Sequence, residues 1–441
     1  MPTRSRRILL WSMLAFIVAC VAAFFILGAW FHSFLRSDSF RKLIGAKTSA
    51  MLKAEGQFLP LHFAGSMVYS DGFHASGNAE AFFSVLQADQ IRAELNPRAL
   101  YHRTLRIDEL SIERLELQGK TPQAAPVSEP ATHESLPPLA PARVDLRRVS
   151  VRETNFNWSG AAGSVKKTAL TITPDGSGWE ILGEGGDVTQ QGLPDLKIDK
   201  IKLRYQSPSL FVTDSVLRCG ESGSVTLDGE ANFGRSVDLR MKLNSIPVTP
   251  FLKGDWRARL KGNFSGEIKM AAQMPMIMPS RFEGSLAMAE GQIEALPVLN
   301  QIALFTRTAQ FRSLRLSKAS ANFTHDGSQL CVKDFVVESE GLIRAEGAFV
   351  VTGGQIQGTF QVGVTPASLQ WIPGSQSRVF TDARGGYLWT TMRVSGAVEH
   401  PSEDLTPRLL SAAGSELLEN PEGVLKKAAD GLLDIVKPLL K

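Results

Sequence analysis

Three cysteines in 441 residues are too few to knit a fold of this size together. Cys20 sits in an apolar run. Cys219 and Cys331 form no CxxC and have no histidine at ligand spacing, and a disulfide between them stays open only for an oxidising compartment. The seven histidines, at 32, 62, 74, 102, 133, 325 and 400, never cluster, which argues against a metal site. Signatures of catalysis are missing too. There is no GxSxG, no HExxH and no GxxxxGK[ST]; GEGGDVTQQG at 183–192 is glycine-rich but lacks the Lys–Ser/Thr end of a phosphate loop. SVKK at 164–167 matches SxxK in a Gly- and Ala-rich turn, where chance accounts for it. The acids are spread among basic residues, as on a solvated sheet face. Catalytic, cofactor-binding and metal-ligating residues are therefore expected to be none, and an enzyme is disfavoured. A net charge of +4 is too small to imply nucleic acid.

What is present begins at the N-terminus. Residues 8–31 are 24 uncharged residues with four Phe and two Trp, preceded by Arg4, Arg6 and Arg7. Crossing a hydrocarbon core of ~30 Å takes ~20 helical residues, so the run is long enough to span. For a cleaved signal peptide the run is too long, and no A-x-A site with a polar sequel follows. IVAC at 17–20 resembles a lipidation box, but the residues after Cys20 are apolar where a tether would be polar. An uncleaved single span is the reading adopted. Arg36, Arg41, Lys42 and Lys47 lie just beyond it, so charge alone decides little about orientation. A cytoplasmic tail over residues 1–7, with the body outside, is the orientation favoured.

Residues 36–54 suit a juxtamembrane helix with Phe40, Leu43, Ile44 and Met51 on one side. It opens a strand-rich part over 32–118. Residues 119–143 hold six prolines and few large apolar groups, and read as a Pro-rich linker or loop. One motif recurs: LRIDELSI (105–112), VDLRRVSV (144–151), LKIDKIKL (196–203), LRLSKASA (314–321) and LCVKDFVV (330–337). Each is read as two alternating arms joined by a bulge that resets the side-chain face by one residue. From 223 to 243 apolar residues alternate with Ser224, Thr226, Asp228, Glu230 and their successors, turning at 234–236, which predicts an antiparallel hairpin with one apolar side. It returns about 118 residues later, turning at Gly353 and Gly354, so 196–250 and 314–366 read as two copies of one meander unit. Asp214 and Asp334, at equivalent places, read as turn or bulge residues. Helices are scarce: one over 294–308 and two in the tail 404–441, parted at Asn420 and Pro421. The tail either caps the end of the sheet or contacts a membrane or partner.

The order of these parts carries a resemblance. A span is followed by RAELNPRALYHRTLRIDELSIERLELQ, then EGSLAMAEGQIEALPVLNQIALF, then FRSLRLSKASANFTHDGSQLCVKDFVVESEGLIRAEGAF. This resembles the AsmA family over most of residues 1–400, with 144–400 similar to its C-terminal region. The resemblance implies an anchor in a bacterial inner membrane, a body in the periplasm, and a mainly β fold in which a long curved antiparallel meander forms a β-groove. It further implies a role in outer-membrane assembly or in moving phospholipid between envelope membranes, with envelope-assembly proteins as partners. The family offers no catalytic residues to carry over.

The one-sided pattern leads to the same place. Some 18–20 strands at ~4.8 Å make a sheet about 90 Å long. Burying one large apolar side chain contributes ~1.5–3 kcal/mol, so leaving ten uncovered forfeits roughly 15–30, more than a domain's net ~5–15. The expected lining is Val225, Leu227, Phe233, Leu239, Met241, Ile343, Phe349, Ile356, Phe360 and Val362. Gly229, Gly347 and Gly358 are expected to leave room there for curvature or a guest. Either acyl chains cover this face, or the sheet closes on itself as a dry scaffold or partner-binding module.

Overall fold

The structure, a computed structural model, describes residues 33, 37–79, 81–96, 99, 104–120, 143–158, 163–232, 235–252, 254–273, 281–294, 312–370, 372 and 374–419. The expected span at 8–31, the helix over 294–308 and the second tail helix fall wholly or almost wholly outside these. Among the described residues no helix is long and apolar enough to cross a membrane. Strands dominate, and the chain divides into two compact units, one ending at Asp187 and the other beginning at Val188.

The first unit opens with α1 (Asp38–Leu52), whose N-cap Ser37 accepts a hydrogen bond from the Phe40 amide, and whose C-cap Lys53 turns left-handed. Then come β1 (Ala54–Phe58), β2 (Leu61–Ala64), β3 (Met67–Gly77), β4 (Phe83–Asn96) and β5 (Thr104–Gly119). The latter part holds β6 (Arg143–Leu146), β7 (Val149–Trp158), β8 (Gly163–Asp175) and β9 (Gly178–Glu184), with β10 (Asp187–Gln190) at the boundary. Phe40 is fully buried, yet Met51 is 69% exposed. The helix meets β1 through small residues rather than through the expected stripe. Gly45 is buried, and the Ser49 hydroxyl both donates to the Gly56 carbonyl and accepts from its amide. Those are edge groups of β1, so the helix blocks that edge against further pairing.

A strictly antiparallel meander is corrected at one place. β5 pairs in parallel with β6 and β7, Leu105 opposite Val144 and Leu110 opposite Val149. Antiparallel neighbours can be joined by a tight turn, whereas parallel ones need a crossover of a dozen or more residues. The Pro-rich segment after Gly119 supplies that length, so the strands on its two sides are direct neighbours.

The second unit is antiparallel at every pairing: β11 (Leu196–Gln206), β12 (Ser209–Cys219), β13 (Gly223–Asn232), β14 (Ser236–Pro247), β15 (Leu260–Gln273), β16 (Arg281–Glu294), β17 (Ser313–Leu316), β18 (Lys318–His325), β19 (Gln329–Ser339), β20 (Ile343–Thr352) and β21 (Gln355–Val364). β22 (Asp382–Arg384), β23 (Tyr387–Ala397), β24 (His400–Glu403) and α2 (Leu405–Glu419) complete it. Gly353 and Gly354 both have positive φ, as a two-residue hairpin turn requires.

All five copies of the bulge motif interrupt a strand. Asp108 is the extra residue in β5, between Ile107 opposite Leu95 and Glu109 opposite Glu94. β6 gives way to β7 at Arg147 and Arg148, and β17 to β18 at Ser317. Asp199 is extra in β11. In β19, Lys333 and Asp334 together face Ala348. The two repeat units match here: Thr213 and Asp214 face Asp228 in β12, and Asp214 and Asp334 have φ of 48° and 50°. Aspartate tolerates this left-handed region better than most residues. Lys200 holds Asp214 at 2.6 Å, and Asn322 holds Asp334 at 3.0 Å. Two more such bulges lie between them, at Ser245 in β14 and Glu290 in β16. From β12 to β19 every second strand, counting β17 and β18 as one broken strand, is thus bent and twisted by one left-handed residue.

Candidate functional site

Paired residues in an antiparallel sheet share a face, so the register identifies the lining. One row runs Ser215, Leu227, Met241, Ile268, Gly284, Phe323, Val332, Phe349, Gly358 and Val394, a single residue from each of ten neighbouring strands. A second runs Val212, Gly229, Leu239, Met270 and Phe282 to His325, Leu330, Val351, Ile356 and Gly396. A third joins Leu217, Val225, Leu243, Gly266, Leu286 and Ala321. At its far end Phe335, Gly347, Phe360 and Met392 are in register, with Ala345, Val362 and Thr390 beside them. Ile343, opposite Val364, belongs to the same face. Nine of the ten residues expected to line a groove therefore share one face; Phe233 lies outside the described residues. The other face is polar, with Asp228, Arg240, Lys269 and Glu283 in register.

Cover differs along this face. Over β20–β23, Phe360, Val362 and Val364 are buried with Leu405, Leu409 and Ala412 of α2 and with Leu369, Ile372, Val379 and Phe380 from the connection before β22. Ile343 and Phe349 pack against that cluster. The rings of Phe335, Phe349 and Phe360 stand 5.7–6.1 Å apart. Over β13–β16 the side chains of Leu227, Leu239 and Met241 are half-buried, and among the described residues they join no buried cluster. Val225 beside them is buried.

The glycines correct an expectation. A Cβ on Gly347 would fall 2.4 Å from the Thr359 carbonyl oxygen and 2.7 Å from the Phe360 ring, and one on Gly358 would fall 2.6 Å from Phe349 Cβ. The protein's own rings occupy that space, so these two glycines admit close packing and no guest. Gly229, with φ of 149°, lies close against the backbone of Asp238 and Leu239.

The last edge is sealed. Arg408 of α2 donates to the Thr391 carbonyl at 2.6 Å and to the Thr390 hydroxyl at 2.7 Å. Glu403 accepts from the Leu405 and Thr406 amides and so caps the helix start. Nearby, Arg344 binds Glu338 and Glu346, and Tyr387 donates to Glu338. Burial, then the hydrogen bond to Glu338, pushes the Tyr387 hydroxyl above its usual range. Cys219 and Cys331 are both free thiols. Cys219 belongs to the apolar face, whereas Cys331 pairs with Thr324 on the polar one, with β13–β16 and β18 between them. Among the described residues no group of three or more His, Cys, Asp and Glu is placed to hold a metal.

A tail helix capping the sheet end was one of two expectations, whereas the connection before β22 carried no sign of joining the cover at β20–β23. Leu405, Leu409 and Ala412 do carry helical spacing, so the helix was legible, but not the face it lies on. Comparison with family models, curated proteins and solved structures finds no match to this chain.

Proposed function

We propose that the chain is a membrane-anchored protein of envelope biogenesis, without catalytic activity, that holds phospholipid acyl chains against the apolar face of its second unit. The supporting observation is the unbroken row from Leu227 to Val394, which keeps apolar side chains or glycines in register across strand after strand yet leaves Leu227 and Met241 only half-covered, as is Leu239 in the next row. Acyl chains suit such a surface, since each buried CH₂ contributes ~0.8 kcal/mol and hydrocarbon asks for no directional partner. The repeated bulges bend the strands, as a trough requires. The proposed anchor at 8–31 and the resemblance to the AsmA family support a location at a bacterial inner membrane, with the body in the periplasm. Envelope-assembly proteins are the proposed partners, and outer-membrane assembly or phospholipid movement is the proposed process.

A second reading, a closed scaffold or partner-binding module, is favoured locally by β20–β23, where Phe360 and Val362 already lie in a buried apolar core. The test is mild purification of the full chain followed by lipid extraction and mass spectrometry. Stoichiometric phospholipid is expected; its absence under conditions that keep the fold would reject the lipid reading in favour of the scaffold.

A further inference from the structure

The first unit carries a depression of about 410 Å³ on the polar side of β4, β5, β7 and β8. Its lining includes Gln87, Glu116, Asn155, Lys166 and Lys167. Register explains how they meet. Gln87 pairs with Glu116, and Glu116 pairs with Asn155. Across from Asn155 the next strand is bulged: Phe156 faces Val165 and Thr154 faces Thr168, so Asn155 alone stands opposite both Lys166 and Lys167.

Successive side chains of a regular strand point to opposite faces. Here the bulge sends two consecutive lysines into one depression, which is what such irregularities do beside binding sites. Lys167 takes φ of 58°, uncommon for a non-glycine residue, and its amide donates to the Asn155 side-chain oxygen at 3.0 Å. Asn155 thus holds the bulge that aims the lysines. Both lysines are exposed, and neither forms an ion pair among the described residues. Glu116 is likewise exposed and forms no ion pair among the described residues. It stands two strands from the lysines, roughly 10 Å backbone to backbone. Glu153, by contrast, already accepts from Asn155 at 3.2 Å.

Two adjacent cations on one side, a free carboxylate on the other and amides between them match a ligand with an anionic oxygen cluster and a cation a short distance away. We infer that this depression binds a phosphate ester bearing an ammonium group, with Lys166 and Lys167 on the phosphate and Glu116 on the ammonium. The inference stands apart from the lipid reading, because it concerns the other unit and a polar face. The same group occurs in free phosphorylated amino alcohols and in lipid headgroups.

The experiment titrates the full chain, in a non-ionic detergent, with O-phosphorylethanolamine and separately with inorganic phosphate. In a second arm a short-chain lipid carrying the same headgroup is doped into the micelles. Saturable binding is expected, tighter for the ester than for phosphate. Lys166→Ala with Lys167→Ala is expected to weaken binding of both by roughly tenfold or more, since charge-assisted bonds are lost. Glu116→Gln is expected to weaken the ester alone. Binding of the doped lipid with competition from the soluble ester identifies a headgroup; binding of the soluble ester alone identifies a free metabolite. These side chains are exposed, so circular dichroism should report an unchanged fold. No saturable binding in either arm, or binding indifferent to the lysine pair, overturns the site. Equal affinity for phosphate and ester, untouched by Glu116→Gln, overturns the ammonium assignment.

Discussion

Within the second unit, β13–β16 and β20–β23 are built from the same alternation and lie on the same apolar face, yet they end in different states. At β20–β23, α2 and the connection before β22 lie over Phe360 and Val362 and finish an ordinary core. At β13–β16 the equivalent side chains stay half-buried, and Leu227 and Met241 belong to no cluster of described residues. The local pattern is therefore not what separates a core from a lining. Both have apolar residues at every second position; what differs is whether another part of the chain arrives to cover them.

This contrast is best broken at its closed end. Phe360→Ala removes a ring held by Phe335 and Phe349, and truncating a buried Phe costs ~3–5 kcal/mol. Chemical denaturation should show a loss of that size; a loss under ~1 would mean the cluster is loosely packed. Phe349→Asp should likewise unfold this end, because the charge would enter an apolar cluster without a partner. Leu227→Asp sharpens the contrast. At a half-covered position the carboxylate keeps water, so the fold should persist with a small stability change, while co-purified phospholipid falls. If Leu227→Asp and Phe349→Asp unfold the protein alike, the two regions are equally closed.

Gly347→Ala tests the close approach between β20 and β21. The added methyl would meet the Thr359 carbonyl oxygen, which is backbone and cannot rotate away, so a loss of ~1–3 kcal/mol is expected in the same assay. The smallest effect belongs to the bulge at Asp214. The hydrogen bond from Lys200 holds its carboxyl below the usual range. A lowered pKa stabilises the fold above the ordinary carboxylate range, and that contribution disappears as pH falls through the lowered value. Asp214→Asn keeps a residue that tolerates positive φ, so at pH 7 it should lower stability only slightly, as loss of an exposed pair does. Melting curves of wild type and variant should converge at acidic pH; a gap that widened there would reject the pairing.

How much was legible follows from the range of each interaction. The arms of LCVKDFVV and LKIDKIKL announce a bulge because a two-residue alternation with one extra residue has few other physical solutions. Asp214 and Asp334 could be placed at bends for the same reason, and the hairpin of β13 and β14 was complete in its alternation. The parallel pairing of β5 with β7 was not visible, since no residue in either strand records its partner's direction. The Pro-rich segment showed its length, but not that the strands on its two sides are parallel neighbours.

The amino-acid order alone determined which residues alternate, where strands bend and which side of each strand is apolar, because these depend on neighbours a few positions apart. Only the tertiary structure decided which stretch of the apolar face is covered, that rings rather than guests fill the space at Gly347 and Gly358, and that Lys166 and Lys167 share a depression with Glu116. Those outcomes depend on elements far apart in the chain meeting in space. Burial is set by that meeting, and no local pattern encodes it.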